Sequence, residues 1–289
     1  MAASYKKLFK MLIDREMKSK DLAAKAGISP ATLAKMKKDG ATISSDVLVK
    51  ICTALGCTLD DIVEIVPEID IPGHSQAAVA SYPEFLACDP ENPHEVWKWQ
   101  GVSTDVINVS NPKAVQFAKD VIDELIELFP FGYIHLGGDE CPVAKWKQNE
   151  ACKAQLAEIG SQNFRDLQIN FYRQLSDHIK QKPAEKQRKL IFWNEILYGN
   201  TTMLPNDITV MAWVGADRAA VEAAKRGLNT ILSPQIPYYI NRRQSNDYGE
   251  PTGAGGGGDD VYSTYNYIPV PTNISADVAK YYIGVQATF

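Results

Sequence analysis

Two regimes of hydrophobic spacing meet near residue 66. Before that point apolar residues recur at helical intervals. Leu8, Phe9, Leu12 and Ile13 mark a helix over Tyr5–Met17. Ser19 caps a second helix through Ala26, closed by Gly27. Ser29-Pro30 opens a third, a capping serine followed by proline at the first helical position, running to about Lys38 before Gly40. Ser44 or Ser45 starts a fourth with Val47, Leu48, Ile51 and Leu55 on one face and Gly56 at its end, and Thr58 caps a short fifth reaching Ile62 and Val63.

Beyond residue 66 short apolar runs alternate with amphipathic stretches. Val66–Ile71, Tyr133–Leu136, Leu190–Trp193, Ile208–Trp213, Asn229–Ser233 and Ile283–Ala287 read as strands. Between them, Asn111-Pro112 begins a helix to Leu128 lined by Ala118, Val121, Ile122 and Leu125. Ser161–Lys182 and Asp217–Arg226 read as further helices. Strands alternating with helices, each strand ending in polar or aromatic residues, predict a parallel (β/α) barrel. Gly253–Gly258 is a loop tip too irregular to cradle phosphate.

A length of 289 residues accommodates two domains, or one barrel of roughly 250 residues. The net charge of −5 is unevenly spread: residues 1–66 carry +3 and the remainder −8. A basic front on an acidic body suggests two different partners. The cysteines Cys52, Cys57, Cys88, Cys141 and Cys152 are odd in number and match no zinc spacing, so free thiols in a reducing compartment are expected. No metal and no cofactor is expected. The amino terminus is charged and lacks an apolar leader, and no run of eighteen apolar residues exists, so a cytoplasmic protein without membrane contact is expected.

The chemistry concentrates at Tyr133–Cys141. A buried strand ends in Gly137-Gly138 and two adjacent carboxylates, Asp139 and Glu140, follow at once. At the carboxyl end of a parallel strand such acids reach one cavity in different environments, which suits an acid/base pair. A solvated turn is the alternative. Cys141 is expected to pack rather than react. The segment before the Pro72-Gly73 turn ends at Asp70, with His74 four residues on. Trp193 and Trp213 close two strands, and Tyr239 follows a third. Their faces suit the apolar side of a sugar ring, and with paired carboxylates they point to a glycosidase.

Asp21-Leu22-Ala23-Ala24-Lys25-Ala26-Gly27-Ile28-Ser29-Pro30-Ala31-Thr32-Leu33 resembles the Cro/repressor-type helix-turn-helix family. The resemblance implies a small all-α domain over residues 1–65. Its second motif helix would set Ser29, Ala31, Thr32 and Lys35 against bases of double-stranded DNA, with Lys37 and Lys38 on phosphates. A helical hairpin whose lysines merely solvate a surface is the alternative.

Residues 66–289 resemble the family 20 glycoside hydrolases, exo-acting β-N-acetylhexosaminidases. The matching motifs are Pro67-Glu68-Ile69-Asp70-Ile71-Pro72-Gly73-His74, His135-Leu136-Gly137-Gly138-Asp139-Glu140, Trp193-Asn194-Glu195, Ala212-Trp213, Tyr238-Tyr239 and Gly284-Val285-Gln286-Ala287. The resemblance implies an incomplete (β/α)8 TIM-type barrel, strands three to eight, acting on glycans that end in N-acetylhexosamine. Glu140 would be the general acid and then base, and Asp139 would hold the acetamido N–H. Tyr239 would bond the acetamido oxygen, Trp193 and Trp213 would wall its pocket, and Asp70 and His74 would support the acid.

Against the family pattern, strands one and two are absent, with the arginine that the first one carries. The last strand stops before a tryptophan and an acid, and Asn241 stands where an acid is frequent. Impaired turnover is therefore expected. Two other readings stay open: a DNA-binding regulator with a degenerate sugar domain, and a non-native join of two genes.

Overall fold

In the computed structural model of the chain, the described residues form five strands in the order β1-β2-β3-β4-β5. They span Tyr133–His135 (β1), Lys189–Trp193 (β2), Thr209–Ala212 (β3), Asn229–Leu232 (β4) and Tyr282–Val285 (β5). Pairings β1–β2, β2–β3 and β3–β4 are parallel. Residues 67–71 continue the sheet beyond β1: Glu68 makes a parallel bridge to His135. Ile69 N–H donates to His135 O at 3.0 Å and Ile71 N–H to Leu136 O at 3.3 Å. The structure describes residues 5–37, 43–63, 66–99, 101–243, 245, 249 and 260–288.

By contact the chain separates into two units. One is Val66–Pro234 with Val270–Ile283, and the other is Met1–Ile65 with Gln235–Pro269 and Gly284–Phe289.

In the sheet unit the strands are apolar because helices cover them, as parallel sheets require. Ile134, Leu190, Phe192, Val210 and Leu232 are all buried in one core. Helix α7 (Pro112–Leu128) starts where the sequence indicates, with Asn111 Oδ1 accepting from Lys113 N–H at 3.0 Å. Its buried Ala118, Ile122 and Ile126 recur every fourth residue. Its far end lacks a glycine. Arg188, buried just before β2, instead donates to the carbonyls of Ile126 at 3.1 Å and Phe129 at 3.4 Å. Helix α9 (Arg165–Lys180) packs on α7, and α10 (Ala216–Lys225) lies on β3 and β4 through a row of alanines.

Four helices of this unit depart from the hydrophobic pattern. Helix α8 (Glu150–Glu158) is buried only at Cys152 and Leu156, too narrow a stripe to read as a period. The short α5 (Gln76–Ser81) and α6 (Pro83–Leu86) fall in a stretch without clear periodicity. Helix α9 starts at Arg165 rather than Ser161, because the side chains of Ser161 and Asn163 form local bonds, Ser161 to Asp166 and Asn163 to the Arg165 N–H.

The other unit contains α1 (Lys6–Asp14), α2 (Ser19–Ala26), α3 (Pro30–Met36) and α4 (Ser45–Leu55). They enclose Leu8, Leu12, Leu22, Leu33, Met36, Ile51 and Ile62. Gly27 and Gly56 end α2 and α4 in the left-handed region, at φ 64° and 60°. The fifth expected helix is a single 3-10 turn, Leu59–Asp61, closed by a capping box between Thr58 and Asp61. Among the described residues no helix is long and apolar enough to cross a membrane. The glycine-rich tip at 253–258 lies outside the described residues.

Phe192 is fully buried in the sheet and its ring lies 4.6 Å from that of Tyr172. Replacing Phe192 by alanine is expected to cost about 3–5 kcal/mol of unfolding free energy, read from denaturant midpoints at constant slope. An unchanged midpoint contradicts this packing.

Candidate functional site

The residues that carry chemistry sit where β1, β2 and β3 end and where the segment 67–71 turns. Two strand ends are joined by one fit. Asp70 accepts the Gly138 N–H on Oδ1 at 3.0 Å. Gly137 and Gly138 both have positive φ, 66° and 101°. A Cβ on Gly137 would land on the Asp70 carboxylate, and one on Gly138 would sit 2.7 Å from the Tyr172 hydroxyl. Only glycine allows that approach. Beneath the loop Tyr172 donates to Ile71 O at 2.7 Å, and Gln168 donates to Gly138 O at 3.0 Å.

His74 stands among three acids. Its Nε2 is 3.4 Å from Asp139 Oδ2, 3.4 Å from Glu140 Oε2 and 3.9 Å from Asp70 Oδ2. His74 and Glu140 both hold positive φ, 47° and 43°, a strained backbone fixed by its surroundings. Asp139 Oδ1 is buried and has no hydrogen-bond partner among the described residues. Glu140 keeps 44% of its side chain exposed, so the two adjacent acids occupy different environments.

One proton distribution fits this cluster. Burial, then the charge of Asp139, pushes Asp70 up to about 8. The hydrogen bond with Asp139 raises His74 to about 9 against the opposing effect of burial. Burial would also raise Asp139, but hydrogen bonds from His74 and Asp70 outweigh it and hold that carboxyl below its ordinary value. Near neutrality Asp70 carries a proton, His74 is charged and Asp139 is ionised. Asp70, His74 and Asp139 could group around a metal ion by distance. A second such group, Asp89, His94 and Asp105, already surrounds the Lys145 ammonium, 2.7 Å from Asp89 and 2.9 Å from Asp105.

Aromatic rings line the neighbouring strand ends. His135 and Trp193 lie 5.0 Å apart, and Trp193 meets Trp213 edge to face at 6.1 Å. Glutamates fix both indoles. Trp193 Nε1 donates to Glu68 at 2.8 Å, and Trp213 Nε1 donates to both oxygens of Glu195 at 3.1 and 2.9 Å. Burial raises both glutamates above their ordinary values. His135 is buried and pushed down to about 3 by burial; its Nδ1 accepts the Gly137 N–H at 3.0 Å, so the ring is neutral.

Of the residues singled out from sequence, Asp70, His74, Asp139 and Glu140 converge, and Trp193 and Trp213 adjoin each other. Tyr239 belongs to the other unit, where it bridges Thr288 and its ring meets the Arg242 guanidinium at 5.8 Å. Cys141 is fully buried, its thiol raised by burial. Ser29, Ala31 and Lys35 are exposed along α3, and Ser29 accepts the Thr32 N–H at 3.1 Å as its cap. Lys37 stands over the Phe9 ring at 5.7 Å, and Lys38 lies outside the described residues.

Glu68, His135 and Glu195 lie within the matching motifs but have no role assigned from sequence, and Gln168 and Tyr172 lie in none of them; all five adjoin the site. Alternation along 67–71 places Glu68 on the face of Asp70, and Gln168 and Tyr172 lie four apart on α9, so both signals are present in the chain.

Paired carboxylates and two indoles held by glutamates thus share the ends of parallel strands. Comparison with known proteins shows the family. Residues 33–289 match the glycosyl hydrolase family 20 catalytic domain, and the chain belongs to that family. A β-hexosaminidase of Porphyromonas gingivalis is 36% identical over 231 residues, 79% of this chain and 28% of that protein. One from Vibrio furnissii is 28% identical over 225 residues, 78% of this chain and 36% of that protein. The Vibrio harveyi exo-β-N-acetylglucosaminidase in complex with N-acetylglucosamine superposes with a TM-score of 0.67 at 27% identity, covering 86% of this chain and 38% of that one. The chain thus spans 28–38% of the length of these relatives.

The charge state carries a pH signature. Asp70 and His74 are raised, so each stabilises the fold most below its unfolded value and loses that contribution as pH rises to about 8 and about 9 respectively. Asp139, lowered, acts oppositely and loses its contribution only in acid. Stability is expected to fall between pH 4 and 8 in part through Asp70. Asp70→Asn keeps an oxygen for Gly138 but cannot ionise, and should flatten that fall in denaturant midpoints measured against pH. An equal slope in both proteins contradicts the assignment.

Proposed function

We propose that this chain hydrolyses the bond between a terminal β-linked N-acetylhexosamine and the rest of a glycan, with the substrate's own acetamido group as nucleophile. The observation that carries the reading is the unlike pair Asp139 and Glu140: one carboxylate buried with a bare acceptor oxygen, the other exposed, both against His74. In this reading Glu140 gives its proton to the leaving oxygen as the acetamido oxygen attacks the anomeric carbon. Asp139 Oδ1 accepts the acetamido N–H and balances the positive charge that develops on the oxazolinium ring. Water then attacks the anomeric carbon, gives its proton to Glu140 and restores the acetamide, with retained configuration. Asp70 and His74 hold Asp139 ionised, and Trp193 and Trp213 wall the acetamide. The scaffold for these roles is a (β/α)8 barrel of which the chain supplies strands three to eight. Its parallel strand order and the shared placement of the acids at strand ends support that assignment.

A second reading concerns α2, Gly27 and α3. Their turn and cap, with exposed Ser29, Ala31 and Lys35 and half-buried Thr32, suit a helix-turn-helix meeting double-stranded DNA through its major groove. It is favoured by the +3 charge of residues 1–66 in an otherwise acidic chain.

Turnover of an aryl N-acetyl-β-glucosaminide tests the first reading. Glu140→Gln is expected to lower kcat by about a hundredfold or more, and turnover indifferent to that substitution rejects the role of Glu140. A gel-shift series against salt tests the second: binding of duplex DNA at low salt, weakened by Lys35→Ala and lost as salt rises, is expected. Absence of binding at low salt removes it.

A further inference from the structure

The helical unit carries two cysteines at one helix end, and neither functional reading uses them. Helix α4 closes as Gly56 turns into the left-handed region at φ 60°. The Cys57 N–H donates to Cys52 O at 3.1 Å, and the Gly56 N–H to Thr53 O at 3.4 Å. In this closure the residue that accepts the longer-range bond and the residue that donates it bring their side chains together. Here both are cysteines, half-buried and reduced.

Their separation suits a bridge. The 3.1 Å bond holds the two Cα atoms within about 7 Å, the outer limit for a disulfide. The two thiols hydrogen-bond to each other, so the sulfurs are already in contact. Both residues line an open groove of about 650 Å³ together with Leu48, Val49 and Leu59, which gives a small molecule access. A second hydrogen-bonded pair, Cys88 and Cys152, is shielded: Cys152 is fully buried and its thiol donates to Asn108 Oδ1 at 3.5 Å.

We infer that Cys52 and Cys57 form a thiol–disulfide exchange site that takes a small disulfide as its oxidant and closes a reversible bridge across the end of α4. One thiolate attacks a sulfur of the small disulfide, forming a mixed disulfide and expelling one thiolate. The second cysteine attacks the protein sulfur of that mixed bond and expels the other thiolate. Two cysteine thiols are oxidised, one disulfide is reduced to two small thiols, and the cysteine protons pass to the departing thiolates. Burial pushes both cysteines up, Cys57 to about 11, so little thiolate is present and exchange is slow. The geometry favours the position of equilibrium rather than its rate. Closure ties α4, which packs on α2, to the capped turn at Leu59–Asp61, so the helical unit registers the thiol balance around it.

The test equilibrates the full chain with mixtures of reduced and oxidised glutathione, then alkylates the remaining thiols in denaturant and maps them by peptide mass spectrometry. Of the five cysteines, Cys52 and Cys57 are expected to escape alkylation as oxidised glutathione rises, joined to each other, and to return when reduced glutathione is restored. Cys57→Ser is expected to show a glutathione adduct on Cys52 instead. At matched mixtures its Cys52 should be oxidised about tenfold less, because no neighbouring thiol resolves the mixed disulfide at high effective concentration. Mapping of the parent protein alone decides the matter if the serine protein does not fold. Five alkylated cysteines in the most oxidising mixture overturn the inference. So do glutathione adducts without a bridge, or a bridge from Cys88 to Cys152 while Cys52 and Cys57 stay reduced. Neither turnover nor DNA binding enters this readout, so the exchange site stands or falls apart from both.

Discussion

The meeting of Asp70 with the Gly137-Gly138 turn governs the remainder of the site. Two backbone segments nearly seventy residues apart approach so closely that no side chain fits between them, and the Gly138 N–H is satisfied by the Asp70 carboxylate. This contact aims the chain after β1, and so sets Asp139 and Glu140 beside His74. It also buries Asp70 against a second carboxyl, the condition under which one of two neighbouring acids keeps its proton. Placement and protonation therefore have one origin, the absence of Cβ atoms at two positions.

Support for that contact is layered. Tyr172 and Gln168, one helical turn apart on α9, hold the carbonyls of Ile71 and Gly138 from below. Tyr172 is itself packed against Phe192 of β2. The helix face behind the sheet thus reaches through to the loops in front of it. Strained backbone at His74 and Glu140 persists because hydrogen bonds and packing around it leave no relaxed alternative.

Much of this is legible in the amino-acid sequence. The strand cores, the Asn111-Pro112 helix start and the glycine ends of α2 and α4 follow local rules that the three-dimensional arrangement respects. The acids of the site are visible because they abut glycines at a strand end. What stays hidden depends on contacts distant along the chain. Nothing near Arg188 says that it closes α7 more than fifty residues earlier. Glu68 and Glu195 look like ordinary strand-end acids until each is found holding an indole. Gln76 reads as one polar residue in a short helix, yet its side chain donates to Glu95 O and accepts the Trp97 N–H about twenty residues later. Helix α8 is hidden for a different reason: two buried residues do not make a period.

The glutamate contacts of Trp193 and Trp213 carry one more implication. Each indole nitrogen already has an acceptor inside the protein, so neither ring has its N–H donor left for a visiting molecule. The rings can distinguish molecules only by the shape and hydrogen count of what lies across them. Reading of polar groups is left to the carboxylates and the imidazole.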